Sequence, residues 1–421
     1  MTPFRLPALP SDLEALDPVW IGTAARLGRS RAALRTRAEL FVSATLDDVL
    51  SLSPAYSEDP VTPGTVLAGE VRVRPVADVS EALAARLFPV DAVGVRTSGE
   101  ILDPLGGLAE LEGDTFAIPD EALSVPGGGA RAIGLASELG VRIDAEALRR
   151  IEAHVDHTLG APRPMLRDAL TQTLVGHRPA ASLQLLLRSR YLHFLLPELV
   201  GLVDFHKSSR YHHKDVWAHT KQVVKQAIPC PIIRWSALLH DIGKTYTRSY
   251  ESGGKVHFLR HDEVGAYMFE GVATRLHFAA EDSARIRQLI LYHLRPGMYS
   301  KNWSDSAVRR FGEETKEFLD DLLHLARADV TSKRPGKRKR ILYTIAELRG
   351  RVDEVRRLDE ARRPVVPKGL GRHIIEELGV APGPRVGELR KLCEMAVRGG
   401  ELESDPDVQA CIAFLRARVA A

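Results

Sequence analysis

The chain has 421 residues, 44% of them hydrophobic, and a formal net charge of only +3, which predicts about three domains with sizeable cores but indicates no particular partner. The three cysteines are odd in number and lack metal-site spacing, so we expect reduced core thiols and exclude a disulfide framework. No apolar run is long enough to span a bilayer and no signal-peptide core is apparent, so we expect a cytoplasmic protein without a membrane partner.

The first part of the chain, residues 1–117, alternates short β-like runs with helical patterns rich in alanine and arginine. The β-like runs are PVWIG, ELFVSA, GTVLAGEVRVRPV and AVGVRTSGEILDP. This alternation predicts an α/β head. The glycine run VPGGGARAI then predicts a loop, and the patterns after it predict a helical neck over residues 118–200.

Helical patterns continue through residues 201–350, which we predict to be an all-helical domain, and through a tail at residues 351–421. The predicted fold class is therefore mainly α with an N-terminal α/β portion. In residues 201–350 an apolar run leads into His240 and Asp241, and Gly243 is the expected C′ residue that ends this helix.

Six potential metal ligands occur in this helical region. They are His219, His240, Asp241, His261, His293 and Asp329. His293 stands at i+7 from Ile286, and Asp329 continues the stripe of Leu322 and Ala326, so both side chains are expected on buried helix faces. An unpaired carboxylate buried there would cost roughly several kcal/mol. Because a bound cation removes that cost, the set predicts a divalent metal site that can activate water.

The order His, His-Asp, His, His and Asp over about residues 201–350 resembles that of the HD-domain metal phosphohydrolases. The resemblance implies that one metal is held by His219, His240, Asp241 and Asp329. It implies that His261 and His293 hold a second metal or contact phosphate. Lys244 in HDIGK is either a phosphate contact of this kind or a solvated charge beyond a helix end.

The resemblance also sets the expected catalytic residues and cofactors. The catalytic residues that it implies are His240, Asp241, Lys244, His261 and His293. One or two divalent ions are expected, and Mn, Ni, Co, Fe, Mg and Zn all suit a histidine-carboxylate donor set.

Segments outside this domain resemble the bacterial CCA-adding tRNA nucleotidyltransferases and their poly(A) polymerase relatives. The segments are ILDPLGGLAELEG, RAIGLASELGVRID and GLGRHIIEELGVAPGPRVGEL. The resemblance implies a nucleotidyltransferase-like head at residues 1–117, a neck at 118–200, an HD body at 201–350 and a tail at 351–421.

The head departs from that family at four signatures. The second glycine of the family's G-G turn is replaced by Thr23 after Gly22, and the D-x-D carboxylates that bind magnesium are replaced by Leu40 and Val42. The R-R-D signature falls on Ala85, Arg86 and Leu87, and the E-D-x-x-R template falls on Ser124, Val125 and Gly128. Because two-metal polymerisation needs the missing oxygens, the sequence predicts an inactive polymerase head.

Two basic segments near the ligands are candidates for RNA binding. SKRPGKRKR at residues 332–340 is either a solvated loop or a clamp for RNA phosphates. DFHKSSRYHHK at residues 204–214 is either an ordinary surface loop or a site where aromatic and basic side chains meet a nucleic-acid end. The candidate substrate-binding residues are Arg210, Lys214, Lys333, Arg334, Lys337 and Arg338.

We therefore predict a metal-dependent phosphohydrolase, a phosphodiesterase or phosphatase. Its substrates would be nucleotides or RNA ends, including 2′,3′-cyclic phosphates and tRNA 3′ ends, and its polymerase head would be inactive. The alternatives are a tRNA nucleotidyltransferase with divergent motifs and a non-catalytic RNA-binding protein. Incorporation of CTP or ATP into tRNA would identify the first, and a tightly bound metal without turnover would indicate the second. The sequence leaves the metal, the substrate and the oligomeric state open.

Overall fold

The computed structural model describes residues 9–21, 38–59, 64–68, 71–112, 116–203, 215–251, 256–362, 365–403 and 405–419. A sheet occurs near the N-terminus and helices form most of the rest, which confirms the predicted fold class. Contacts divide the chain into two compact units, residues 1–302 with 314–348, and residues 303–313 with 349–421. In the described part of the chain, no helix combines the length and apolarity needed to cross a bilayer.

A seven-stranded sheet forms the head, in the order β3-β4-β5-β2-β1-β6-β7. β2 and β5 pair in parallel, and the other neighbours are antiparallel. The strands are β1 (Val19–Ile21), β2 (Ala38–Ser43), β3 (Ser57–Glu58), β4 (Val66–Ala68), β5 (Val71–Val76), β6 (Gly94–Arg96) and β7 (Ile101–Leu102). The head helices are α1 (Leu46–Ser51), α2 (Val79–Ala84) and α3 (Gly107–Glu112).

β2 is an interior strand between β5 and β1, and side chains from the rest of the head pack on both of its faces. Side chains alternate along the strand. Leu40 and Val42 pack in a core cluster with Val49 of α1, while Phe41 packs in a second cluster with Leu83 of α2. Leu40, Phe41 and Val42 are therefore core residues, whereas Ser43 at the end of the strand is exposed.

The neck is helical, but its glycine run is not the loop that the sequence predicted. Gly127 has a φ of 79° and caps a helix that begins at Gly128. A Cβ at Gly128 would lie 1.8 Å from the carbonyl oxygen of Ala122, and one at Gly129 would lie 2.1 Å from the hydroxyl of Tyr191. These two glycines are therefore needed for close packing of the helix. The neck helices are α4 (Asp120–Ser124), α5 (Gly128–Leu139), α6 (Ala145–Ala153), α7 (Arg163–Val175), α8 (Pro179–Arg188), α9 (Tyr191–Leu195) and α10 (Pro197–Val203).

Among its described residues, the body is helical apart from one antiparallel hairpin, β8 (Arg248–Tyr250) with β9 (Val256–Phe258), which the sequence analysis did not predict. Its helices are α11 (Val216–Gln226), α12 (Pro231–Leu239), α13 (Lys244–Thr247), α14 (His261–Arg275), α15 (Ala280–Tyr292) and α17 (Leu319–Asp329). α16 (Asp305–Glu314) and α18 (Pro335–Arg362) each contain residues of both compact units.

The tail has its own core, which the amphipathic faces of three helices form. These helices are α19 (Leu370–Leu378), α20 (Pro384–Arg398) and α21 (Val408–Val419). Ile374, Leu389 and Leu415 are among its fully buried residues, as are Cys393 and Cys411. All three cysteines of the chain are buried and free, as expected. Short 3₁₀ helices occur at Ser11–Leu16, Pro89–Asp91, Val155–Gly160 and Arg295–Met298.

Candidate functional site

The ends of several helices bring the six predicted metal ligands together in the body. His240 follows the last residue of α12, His261 is the first residue of α14, and His293 follows the last residue of α15. Asp329 is the last residue of α17, and His219 lies in the second turn of α11. Residues that are far apart in the sequence thus lie close together in two adjoining groups.

Asp241 lies between two groups of imidazoles. Its Oδ2 is 3.5 Å from Nε2 of His219 and 3.3 Å from Nε2 of His240. Its Oδ1 is 3.4 Å from Nε2 of His261 and 4.0 Å from Nε2 of His293. The two oxygens of one carboxylate therefore face different ligand groups. One group is His219, His240 and Asp329, and the other is Asp241, His261 and His293.

The orientation of the imidazoles fits a metal centre. Nδ1 of His240, His261 and His293 lies 2.7–3.0 Å from a backbone carbonyl oxygen, which can only accept a hydrogen bond. Nδ1 must then carry a proton, so in the neutral imidazole Nε2 presents its lone pair to the centre. The three Nε2 atoms are buried and have no hydrogen-bond partner among the described residues. Buried acceptors without partners are costly unless a cation is bound.

The charges of the ligands also suit a cation. Burial and the charge of His240 lower the pKa of His293 to about 4. Burial alone would raise the pKa of Asp329, but the hydrogen bond from His219 and the charge of His240 lower it to about 2. Burial also opposes ionisation of Asp241, yet His240 and Lys244 hold the pKa of this carboxyl well below its usual range. Neutral His293 and ionised carboxylates are the forms that bind metal. Burial disfavours the charged form of His240, but Asp241 and Asp329 raise its pKa, so a metal bound there would displace a proton from His240.

Gly243 is not the C′ residue that the sequence predicted, since α12 ends at Leu239 and the φ of Gly243 is −65°. Instead, a Cβ at Gly243 would lie 2.1 Å from the carbonyl oxygen of His261 and 2.6 Å from the backbone nitrogen of Gly265. The missing side chain lets the residues after α12 approach α14. Lys244 then reaches Asp241, with its Nζ 2.6 Å from Oδ2.

A cavity of about 570 Å³ opens onto the ligands, a volume in the range of small-ligand pockets. Its wall includes Lys244, Arg248, Phe258, Leu294, Lys337 and Ile341. Of these wall residues, the sequence analysis named Lys244 and Lys337. It missed Arg248 and Phe258 of the hairpin and Ile341 of α18, because only strand pairing and helix packing bring them to the cavity. It also missed Thr331, whose hydroxyl lies 3.0 Å from Nδ1 of His219. The only signal for Thr331 was its position two residues after Asp329.

The predicted substrate-binding residues have different outcomes. Arg210 and Lys214 lie outside the described residues. Residues 335–340 form the first turns of α18, so the basic run is mostly helix rather than the loop of one interpretation. Lys337 lines the cavity, and Lys333, Arg334 and Arg338 are exposed near it in the sequence.

The head positions where the sequence analysis placed the polymerase signatures do not form a carboxylate site in the described part of the chain. Leu40 and Val42 are 0% exposed. If the alignment of the D-x-D signature were shifted by one residue, its two carboxylate positions would fall on Glu39 and Phe41, and Phe41 is also buried. Gly22 and Thr23 lie outside the described residues.

The other two head signatures are also replaced by residues with structural contacts or exposed side chains. Gly128 has no space for a side chain, and Ser124 is exposed at the end of α4. Arg86 stacks its guanidinium 5.0 Å from the ring centroid of Phe41, and Leu87 is exposed.

Comparison with known proteins finds similarity within one domain and over most of the chain. The HD domain profile matches residues 230–334. The A-adding tRNA nucleotidyltransferase of Deinococcus radiodurans is 29% identical over 371 residues, 82% of each chain. The CC-adding tRNA nucleotidyltransferase of Thermus thermophilus is 31% identical over 299 residues, 68% of this chain and 65% of the relative. The crystal structure of the Bacillus stearothermophilus CCA-adding enzyme in complex with CTP superposes with a TM-score of 0.48 at 19% identity, covering 97% of this chain and 95% of that one.

These relatives correct the predicted function. The sequence analysis favoured a metal-dependent phosphohydrolase with an inactive polymerase head, and that prediction is wrong. The reason is the extent of the similarity: an alignment over 371 residues reaches far outside residues 230–334, and it relates the chain to tRNA nucleotidyltransferases. The alternative of a tRNA nucleotidyltransferase with divergent motifs is therefore favoured.

Proposed function

Since the chain contains an HD domain within an architecture like that of the CCA-adding enzymes, we propose that it acts at the 3′ end of tRNA as a nucleotidyltransferase with divergent head motifs. The observation that carries the proposal is the similarity to an A-adding enzyme over 82% of both chains. The similarity is too long to come from the HD domain alone, so the head and neck take part in it.

The HD centre has a separate part in this proposal, which is to bind divalent metal. His219, His240, Asp241 and Asp329 would hold one ion, and His261 and His293 would hold a second with the other oxygen of Asp241. The orphaned Nε2 atoms support this assignment. When bound, the ions would supply positive charge for phosphate oxygens. Lys244, held against Asp241, would add a further positive charge on the cavity side.

One observation favours a second candidate, a tRNA-binding protein that adds no nucleotide. Nucleotide addition by the two-metal route needs carboxylates that hold magnesium. In β2 the candidate positions Leu40, Phe41 and Val42 are all buried and apolar. Glu39 is the single acidic residue in the sequence of this strand, AELFVS. Addition would therefore depend on Glu39 together with a carboxylate from elsewhere in the head.

The two candidates are separated by an incorporation assay. The full chain is given magnesium, a tRNA transcript that lacks its CCA end, and labelled CTP or ATP. The first candidate predicts labelled tRNA, with loss of labelling in Glu39→Gln and normal labelling in Asp241→Asn, which changes only the HD centre. Binding of the tRNA without labelling by either nucleotide would refute the first candidate and support the second.

A further inference from the structure

The hairpin β8–β9 forms one side of the HD cavity and carries side chains that the metal centre does not use. Arg248 pairs with Phe258, and Tyr250 pairs with Val256. Partners in register share a face of the hairpin, as do residues two apart on one strand. These four side chains therefore share one face. Because Arg248, Val256 and Phe258 line the cavity, that face is the one turned towards the metal ligands.

Basic and aromatic groups alternate along this face. Lys244 Nζ lies 2.6 Å from Asp241 Oδ2 and 5.5 Å from the ring centroid of Phe258. The guanidinium of Arg248 lies 4.9 Å from the ring centroid of Tyr250. Tyr250 is 59% exposed, and it is not part of the cavity wall. The series thus begins at the metal ligands and continues outside the cavity.

The charge on the hairpin is favourable for a polyanion. Its acidic residue Glu251 is 2.9 Å from Nε2 of His257. His257 pairs with Ser249 and therefore points to the opposite face from Arg248 and Tyr250. Lys337 of α18 adds a positive charge to the cavity wall, and Ile341 and Ile345, one and two helical turns further along, also line it.

We propose that this hairpin face is a stacking surface that guides the unpaired end of an RNA strand into the HD cavity. Phe258 and Tyr250 would stack on successive bases, while Arg248 and Lys337 would contact the phosphates between them. Aromatic faces with interleaved cations are the general means of holding single strands without reading sequence. The inference rests on the RNA partner of the proposed function, but not on nucleotide addition.

The position of Tyr250 distinguishes a strand from a single nucleotide. The cavity accommodates a small ligand by itself, and Phe258 lies in its wall. Tyr250 lies two residues of strand, about 7 Å, further out. A mononucleotide held at the ligands has no need of a second aromatic ring outside the cavity. An RNA strand that continues out of the cavity can use this second ring to stack its next base.

The test measures binding of a short single-stranded oligoribonucleotide, labelled with fluorescein at its 5′ end, to the full chain by fluorescence anisotropy. Tyr250→Ala is expected to raise the Kd for the oligoribonucleotide by at least ~5-fold, since base stacking contributes about 1–3 kcal/mol per base. Tyr250→Phe keeps the ring and should bind like the unchanged protein. Tyr267→Ala removes another tyrosine of the body, 75% exposed on α14, and is the matched control that should have no effect.

Further ligands determine the class of partner. AMP is small enough to bind within the cavity alone, so its Kd should be the same for the unchanged protein and for Tyr250→Ala. The Kd for a blunt RNA duplex should also be unchanged by the substitution. Equal weakening of polyglutamate and RNA by Tyr250→Ala would make the surface a general polyanion site and overturn the inference. No oligonucleotide binding, or binding that Tyr250→Ala leaves unchanged, would overturn it as well.

The failure of this inference is distinct from that of the proposed function. Tyr250-dependent RNA binding without CTP or ATP incorporation would remove only the proposed nucleotide addition. Normal incorporation with RNA binding that does not depend on Tyr250 would remove only the stacking surface.

Discussion

A Cβ on Gly243 would lie 2.1 Å from the carbonyl oxygen of His261, so the absence of a side chain at residue 243 sets how closely the two can approach. The contact connects the residues after α12 with the first residue of α14. Asp241 and His261 come from these two segments, and Asp241 Oδ1 lies 3.4 Å from His261 Nε2. The geometry of one ligand group therefore depends on a glycine that is not itself a ligand.

Gly243→Ala is expected to separate these segments, because the atoms that the new methyl group meets are backbone atoms. We expect a loss of about 1–3 kcal/mol in the free energy of unfolding, as for overpacking in a core, and a lower metal content. Chemical denaturation and metal analysis of the purified protein would measure both. Gly271→Ala is the control: this α14 glycine has open space around it, so alanine should be neutral or stabilise by up to about 1 kcal/mol. Equal behaviour of the two variants would contradict the role of Gly243.

The shared carboxylate gives a second prediction. Asp241→Asn keeps the size of the side chain but removes the charge that faces both ligand groups. We expect metal content to fall at both positions, whereas His261→Ala should leave the ion held by His219, His240 and Asp329. Titration of the metal-free protein with Mn or Zn, followed by calorimetry, would count the sites. Asp262→Asn, which removes a carboxylate next to His261, should bind metal normally. Unchanged stoichiometry in Asp241→Asn would refute the bridging role.

The cluster of six candidate metal ligands could be anticipated from the sequence because each residue lies at or near a helix end that local patterns indicate. His293 follows the apolar positions Ile286 and Ile290 at helical spacing, so its burial could be predicted from the sequence. The hairpin could not be predicted from the sequence, because its described strands have three residues each and only their pairing makes them a sheet. The glycines at 128 and 243 were misread because close packing against Ala122 and His261 is a tertiary property.

Similarity to nucleotidyltransferases favours a magnesium site in the head, whereas the apolar packing of β2 argues against one. The variant Val42→Asp tests whether a magnesium site can form in β2. A carboxylate at this fully buried position of β2 would be unpaired, so we expect a loss of roughly 2–5 kcal/mol in the free energy of unfolding. Val42→Ala removes volume without adding charge and is the control for the cavity. We expect magnesium to leave the stability of Val42→Asp unchanged in thermal denaturation. Stabilisation by magnesium in that variant alone would mean that a metal site forms in β2 and that the head is closer to an active polymerase than its core packing indicates.

The basic start of α18 provides the last prediction. Lys337 lines the cavity, and Arg338 is exposed beside it, so both are placed to contact the backbone of a bound RNA. Each phosphate contact that is lost should reduce the slope of log K against log salt by about 0.7 for a single strand. We therefore expect the double variant Lys337→Gln, Arg338→Gln to bind RNA more weakly and with a flatter salt dependence. Its metal content should stay the same, because neither side chain is a ligand.

The matched control for this pair neutralises two arginines further along the same helix, Arg349→Gln with Arg357→Gln. This control removes the same charge from the protein but not from the cavity. If binding depended only on net charge, both double variants would lose affinity equally. A salt slope that changes only in the Lys337 and Arg338 variant would locate the phosphate contacts at the cavity, whereas equal slopes in both would contradict that placement.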